Sequence, residues 1–253
     1  MQTDQQGHQA TLSPPFSAPA SPWAAAPERL VLENHEVHVW RAVLDVSGPA
    51  LQRLRHILAP DERARADRFH FQKDQEHFVV ARGALRTILG RYLQRAPELV
   101  AFRYGLRGKP ELAEPSEAGE AGPLTFNVSH SHGLALYAVS VRRAVGIDVE
   151  HVRPFPSSHQ IAERFFSAEE IAGLCSLPDD VQQEAFFRCW TRKEAILKAK
   201  GEGLFGWSLL PTQADAGEWS AWAIRDLEPG PGYVAAISAE GKDWTITSWE
   251  WTH

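Results

Sequence analysis

Three acidic residues in two framed motifs carry the chemistry open to this sequence: Asp148 and Glu150 in Val145-Gly-Ile-Asp-Val-Glu150, and Glu194 in Trp190-Thr-Arg-Lys-Glu-Ala195. In the first motif the apolar Val145, Ile147 and Val149 alternate with the acids, so a strand would bury one face and carry both carboxylates on the other. Two like charges that close repel, and a divalent cation removes the repulsion. Hard carboxylate oxygens, with positions left open for phosphate, are the ligand set that Mg2+ accepts. Spacing alone does not decide the matter. Such strand acids are more often a wet face, and Glu194 with Lys198 at i,i+4 is by itself a surface pair worth roughly a few tenths of a kcal/mol.

Three elements must position these groups. The second motif falls in a helix from about Asp180 to Ala199, stopped by Gly201 and Gly203. On it Phe187, Glu194 and Lys198 share one side, beside an apolar stripe of Phe186, Trp190 and Leu197. A strand within Phe126-Asn-Val-Ser-His-Ser-His-Gly133 ends in hydroxyls and imidazoles before a Gly, small donors that suit a bound phosphate. Zinc on His130 and His132 lacks further convincing ligands. A nucleophilic Ser129 lacks the Gly-x-Ser-x-Gly elbow, and the adjacent His130 would point to the opposite face. Gly105-Leu-Arg-Gly-Lys-Pro110 offers Arg107 and Lys109 in a turn, where they are solvated charges unless phosphate is near. There is no Walker-type loop.

The surrounding pattern is α+β. Residues 1–27, rich in Gln, Ser, Ala and Pro, read as a flexible tail. A strand follows over Glu36–Leu44, with Val37, Val39 and Val43 on one face. Between Leu51 and Arg95 the helical recurrence of Phe78, Ala81, Leu85, Ile88 and Tyr92 predicts a long amphipathic helix after shorter ones, and the region is rich in arginine. Glu111–Pro123 reads as a loop. Strands are expected at 124–129, 134–141 and 145–150, then at 219–224, 233–237 and 244–251. Ser167-Ala-Glu-Glu170 forms a capping box. The result is two α+β halves without clear sequence repetition.

Composition excludes several classes. The chain has 253 residues, 43% hydrophobic and 23% charged, enough for one large domain or two small ones. A net charge of -6 argues against a surface devoted to nucleic acid. Cys175 and Cys189 sit in no ligand or redox spacing and are read as buried thiols. No apolar run is long enough for a bilayer and no secretory signal opens the chain, so the cytoplasm is expected and no membrane partner.

Taken together, Arg107-Gly-Lys-Pro110, Asn127-Val-Ser-His-Ser131, Gly146-Ile-Asp-Val-Glu150, Arg164-Phe-Phe-Ser167 and Trp190-Thr-Arg-Lys-Glu-Ala195 resemble, in order and spacing, the Sfp-type 4'-phosphopantetheinyl transferases. The resemblance runs from about Val37 to the last strands. It implies an α+β fold of two similar α/β halves related by pseudo-twofold symmetry in a monomeric chain, residues 28–143 and 144–253, with coenzyme A in the cleft between them. It makes Asp148, Glu150 and Glu194 ligands of Mg2+, or Mn2+, with the coenzyme A pyrophosphate completing the shell and Lys198 facing that pyrophosphate. Arg65, Arg107 and Lys109 would suit the nucleotide and its 3'-phosphate. Ser129 and His130 match the phosphate-binding pair, and Lys193 a phosphate or carrier contact. The sequence departs with His132 where several relatives carry Gly, and with Glu62 and Phe78 where some have nucleotide-contacting residues.

The activity so implied moves the phosphopantetheine arm of coenzyme A to a serine of an acyl or peptidyl carrier protein and releases 3',5'-ADP, serving polyketide, nonribosomal peptide or fatty acid synthesis. Glu194, or a water it orients, would be the base. The arginines between Arg53 and Arg95, Arg86 and Arg91 among them, would steer an acidic carrier. A module that binds coenzyme A or a carrier without turnover is the rival reading, and three acids beside a pyrophosphate argue against it.

Overall fold

The computed structural model describes residues 23–105, 108–113, 122–201 and 221–253. In chain order the elements are β1 (Ala24–Ala25), β2 (Glu36–Val43), α1 (Gly48–Ile57), α2 (Pro60–Ala66), α3 (Gln72–Leu93), β3 (Phe102–Tyr104), β4 (Pro110–Leu112), β5 (Leu124–Ser131) and β6 (Leu134–Val141). They continue with β7 (Val145–His151), α4 (Ser158–Phe165), α5 (Ala168–Cys175), α6 (Asp179–Lys200), β8 (Trp222–Leu227), β9 (Tyr233–Glu240) and β10 (Thr245–Glu250).

A strand, three helices and two strands occur twice: β2, α1 to α3, β5, β6, and then β7, α4 to α6, β8, β9. Both units pair first strand to third and third to second, always antiparallel, giving β2-β6-β5 and β7-β9-β8. In both the third helix has 22 residues. The two similar halves therefore lie in topology, although the β3–β4 hairpin has no counterpart among the described residues of the second.

The division is not clean. β10 leaves the second half and pairs in parallel with β2, and Ala24–Ala25 pairs with β10 in turn. Trp23 adds an indole hydrogen bond to the Glu228 carbonyl at 3.0 Å. Residues 23–27, expected in the tail, thus belong to the fold, while 1–22 fall outside the described residues.

Period-two burial explains how the layers stack. Val37 and Val39 of β2 and Leu134, Leu136 and Ala138 of β6 join Val145, Ile147, Val149 and Ile237 in a core between the two sheets. The alternate residues, Trp40, Ala42, Ala135, Tyr137 and Val139, pack under α3 with Val80, Ala84 and Ile88. Val43 shares the face of Val37 and Val39, as expected, but at the strand's end it is 49% exposed. On the second sheet's far side, Phe186, Phe187 and Leu197 of α6 pack with Val234 and the α4 residue Ala162. Among the described residues no helix is long and apolar enough to cross a membrane.

Two arginines expected to steer a partner are committed inside the first half. Arg86 is 2% exposed, donates to Glu62 Oε2 at 2.6 Å and caps the Val100 carbonyl at 2.8 Å. Arg91 lies over the Trp40 ring and bonds to the Pro27 carbonyl. Both guanidinium groups are held by the chain's own atoms, whereas Arg53, Arg65, Arg68 and Lys73 are exposed. Glu62 is equally buried and also accepts from the Ala59 amide at 2.9 Å, so its departure from the family pattern belongs to core packing.

Candidate active site

The site lies where β7 meets α6, and Gly146 sets that approach. A Cβ at Gly146 would stand 2.1 Å from the Ala195 carbonyl oxygen and 2.3 Å from the Ala199 nitrogen, distances no side chain tolerates. Backbone thus meets backbone. Val145, Ile147 and Val149 of β7 fill the core between the sheets. Gly146, Asp148 and Glu150 share the other face, which α6 covers, so the strand face expected to be wet is a seam in which Asp148 is only 4% exposed. The helix ends at Gly201, whose φ of 74° serves the left-handed cap that the sequence foresaw.

Lys198 and Glu194, one turn apart on α6, enter this seam. Lys198 Nζ lies 2.6 Å from Asp148 Oδ1 and 3.0 Å from Ser129 Oγ. Burial, reinforced by the negative charge of Asp148 and further by Glu150, pushes the Glu194 carboxyl up to about 7 in spite of Lys198. Burial likewise holds Glu150 above its usual range, against the hydrogen bond from Ser131. The three acids therefore feel one another.

β5 and β7 are edge strands of their sheets and run side by side, joined by side chains where a ladder would have backbone bonds. The amides of Ile147, Val149 and His151 donate to Asn127 Oδ1 at 2.9 Å, Ser129 Oγ at 3.3 Å and Ser131 Oγ at 3.2 Å. Ser129 Oγ donates onward to Asp148 Oδ1 at 2.8 Å, and Ser131 Oγ to Glu150 Oε2 at 2.9 Å. Ser131 and Asn127 entered the sequence reading only as letters of a motif. Their signal was available: polar residues at 127, 129 and 131 share one strand face, the last two in step with the acids nineteen residues later. Arg153, 3.8 Å from Glu150, gave no such signal.

The remaining candidates divide. His130, on the face of β5 opposite Ser129, has its pKa held down by desolvation of its ring and then by the cations Lys198, His77 and Arg65, which gathers those four groups around one region. Arg65 lies over the Phe78 ring at 5.3 Å, on the first-half side. Lys109 reaches from the β3–β4 hairpin to the Lys198 carbonyl at 2.6 Å, and burial followed by the Lys198 charge among its neighbours lowers its pKa despite Glu111. Lys193 is 8% exposed and paired with Glu170 at 2.9 Å, which accounts for its burial without a phosphate. Arg107 lies outside the described residues.

Among the described residues no three His, Cys, Asp or Glu side chains form a ready-made cation cage. The donor chemistry nevertheless fits a hard divalent ion. Asp148 Oδ2 is buried without a hydrogen-bond partner among the described residues, an expensive condition for a carboxylate oxygen unless a cation meets it.

Known proteins match this architecture. Residues 144–247 fit the 4'-phosphopantetheinyl transferase superfamily, and residues 46–142 fit the 4'-phosphopantetheinyl transferase N-terminal family. The chain belongs to the 4'-phosphopantetheinyl transferases and is an enzyme of the transferase class. Over 235 residues it is 43% identical to the 4'-phosphopantetheinyl transferase HetI of a Nostoc species, covering 90% of this chain and 98% of that protein. It is 27% identical to the 4'-phosphopantetheinyl transferase Sfp of Bacillus subtilis over 217 residues, covering 79% and 91%.

Proposed function

We propose that this protein transfers the 4'-phosphopantetheine arm of coenzyme A to a serine of an acyl or peptidyl carrier protein. The observation that carries the reading is the meeting of Asp148, Glu150, Glu194 and Lys198 in one partly buried seam between β7 and α6, supported by the family membership.

The bond that forms joins the carrier serine oxygen to the β-phosphorus of coenzyme A, and the bond that breaks frees 3',5'-ADP. Asp148, Glu150 and Glu194 would hold Mg2+, with Mn2+ an alternative, and Asp148 Oδ2 supplies an uncommitted oxygen for it. When bound, that ion supplies a positive charge against the pyrophosphate oxygens. The chain's own groups do the rest. Lys198, fixed by Asp148 and Ser129, presents an ammonium to the charge that develops on the leaving phosphate. Glu194 would accept the serine proton directly or through an ordered water, its basicity lowered by the cation it helps to hold. Arg65 and Lys109 form the cationic side that would face the nucleotide phosphates, with the imidazole of His130 beside them.

Both halves reside in one chain, so a monomer completes the cleft. The cytoplasm is where its two substrates would meet it. The reading is tested by incubating the protein with coenzyme A, Mg2+ and an apo carrier and quantifying 3',5'-ADP. The nucleotide should accumulate with the native carrier and not with a carrier whose acceptor serine is alanine. Release that ignores the acceptor serine would reduce the activity to hydrolysis and contradict the reading.

A further inference from the structure

The side-chain ladder between β5 and β7 does more than join the halves. Ser129 and Ser131 occupy equivalent places in it: each accepts the amide of the residue that follows an acid and donates its hydroxyl proton to that acid. Asn127 makes the first rung, to the Ile147 amide, and its place in the ladder precedes both acids.

A serine hydroxyl has one proton to donate and two lone pairs to accept with. Ser129 Oγ uses all three, on Asp148, the Val149 amide and the Lys198 ammonium. No capacity is left for a phosphate unless one of these bonds breaks. Ser131 spends its proton on Glu150 Oε2 and a lone pair on the His151 amide, and among the described residues its further hydrogen-bond contact is His132 Nδ1 at 3.4 Å. Each hydroxyl therefore ties one carboxylate rotamer to the β7 backbone.

We propose that Ser131 is a positioning residue that fixes the Glu150 carboxylate for cation binding, as Ser129 fixes Asp148. This rests on the metal reading given above. Hydrogen bonds to a ligating carboxylate lower the cost of holding it in the bound rotamer, and losing such a support typically weakens metal binding by about tenfold or more.

The test is a Mn2+ titration of the full chain with coenzyme A, followed by electron paramagnetic resonance, together with thermal unfolding and the Mg2+ dependence of turnover. Ser131→Ala should weaken Mn2+ binding by about tenfold, with the Mg2+ KM rising more than kcat falls, and Ser131→Thr, which keeps the hydroxyl, should restore both. Asn127→Ala should lower the unfolding midpoint and leave Mn2+ affinity unchanged. If Ser131→Ala fails to fold, Ser131→Cys, with a weak donor of similar size, takes its place under the same expectation. Unchanged Mn2+ affinity in Ser131→Ala, while Asp148→Ala abolishes binding, would overturn the proposal alone. Equal weakening by Asn127→Ala would also overturn it, since the ladder would then act only by joining the halves. Wild-type protein that binds no Mn2+ would overturn the metal reading and this proposal with it.

Discussion

Lys198 Nζ sits 2.6 Å from Asp148 Oδ1, while the other oxygen of the same carboxylate is buried with no hydrogen-bond partner among the described residues. One carboxylate thus holds the Lys198 ammonium with one oxygen and leaves the other for the cation proposed above, and a strand and a helix from the same half supply the pair. Lys198→Ala removes the ammonium. Without it kcat should fall by roughly 10²- to 10³-fold, as when a donor to developing charge is lost. Lys198→Arg keeps the charge but not its compact shape, and should recover only part of the rate. Steady-state kinetics with a saturating apo carrier checks both.

Gly146 makes a prediction about stability. In Gly146→Ala the new methyl collides with backbone on α6 near Ala195 and Ala199, which no side-chain rotation relieves. The helix must shift, and overpacking of this kind should cost about 3 kcal/mol or more. Urea unfolding at equilibrium measures it. Because the same helix carries Glu194 and Lys198, residual folded protein should also be slow.

The two cysteines should differ in reactivity, although the sequence suggests buried thiols for both. Cys175 is exposed at the end of α5, whereas burial, with the Glu170 charge next, pushes the Cys189 thiol up to about 12. Iodoacetamide at pH 8 on the folded protein should label Cys175 and spare Cys189, as read by peptide mass. Labelling of both at equal rates would contradict the packing of Cys189.

Glu194 gives a pH dependence in metal-free protein. Its pKa is raised from 4.5 to about 7 on folding, so between those values the folded state binds more protons than the unfolded state. Stability from this group is therefore present at low pH and falls as the pH rises through about 7. Carbon NMR of labelled glutamate in EDTA-treated protein should find one residue titrating near 7, absent in Glu194→Gln. Bound Mg2+ should shift that midpoint down, since a cation favours the carboxylate.

Local pattern made much of this legible. The alternation around Asp148, the helical face of Glu194 and Lys198, the Ser167–Glu170 capping box and the Gly201 stop are short-range signals, and each element stands where they place it. What escaped depends on contacts distant in sequence. Arg86 looks like a surface cation on an arginine-rich helix until Glu62 and the Val100 carbonyl close around it. β10 reads as a strand, but nothing local says that it pairs with β2 across the chain. Asn127, Ser129 and Ser131 show a polar stripe, and only the neighbouring edge of β7 reveals that its purpose is to meet that strand's amides and acids.

The most direct measurement is the intact mass of an apo carrier protein after incubation with this protein, coenzyme A and Mg2+. The carrier should gain a single phosphopantetheine arm, the gain should vanish with EDTA and return when Mg2+ is restored, and Asp148→Ala and Glu194→Ala should fail to produce it. Full modification by both variants, or in the lasting presence of EDTA, would contradict an ion held by these acids as the centre of the reaction.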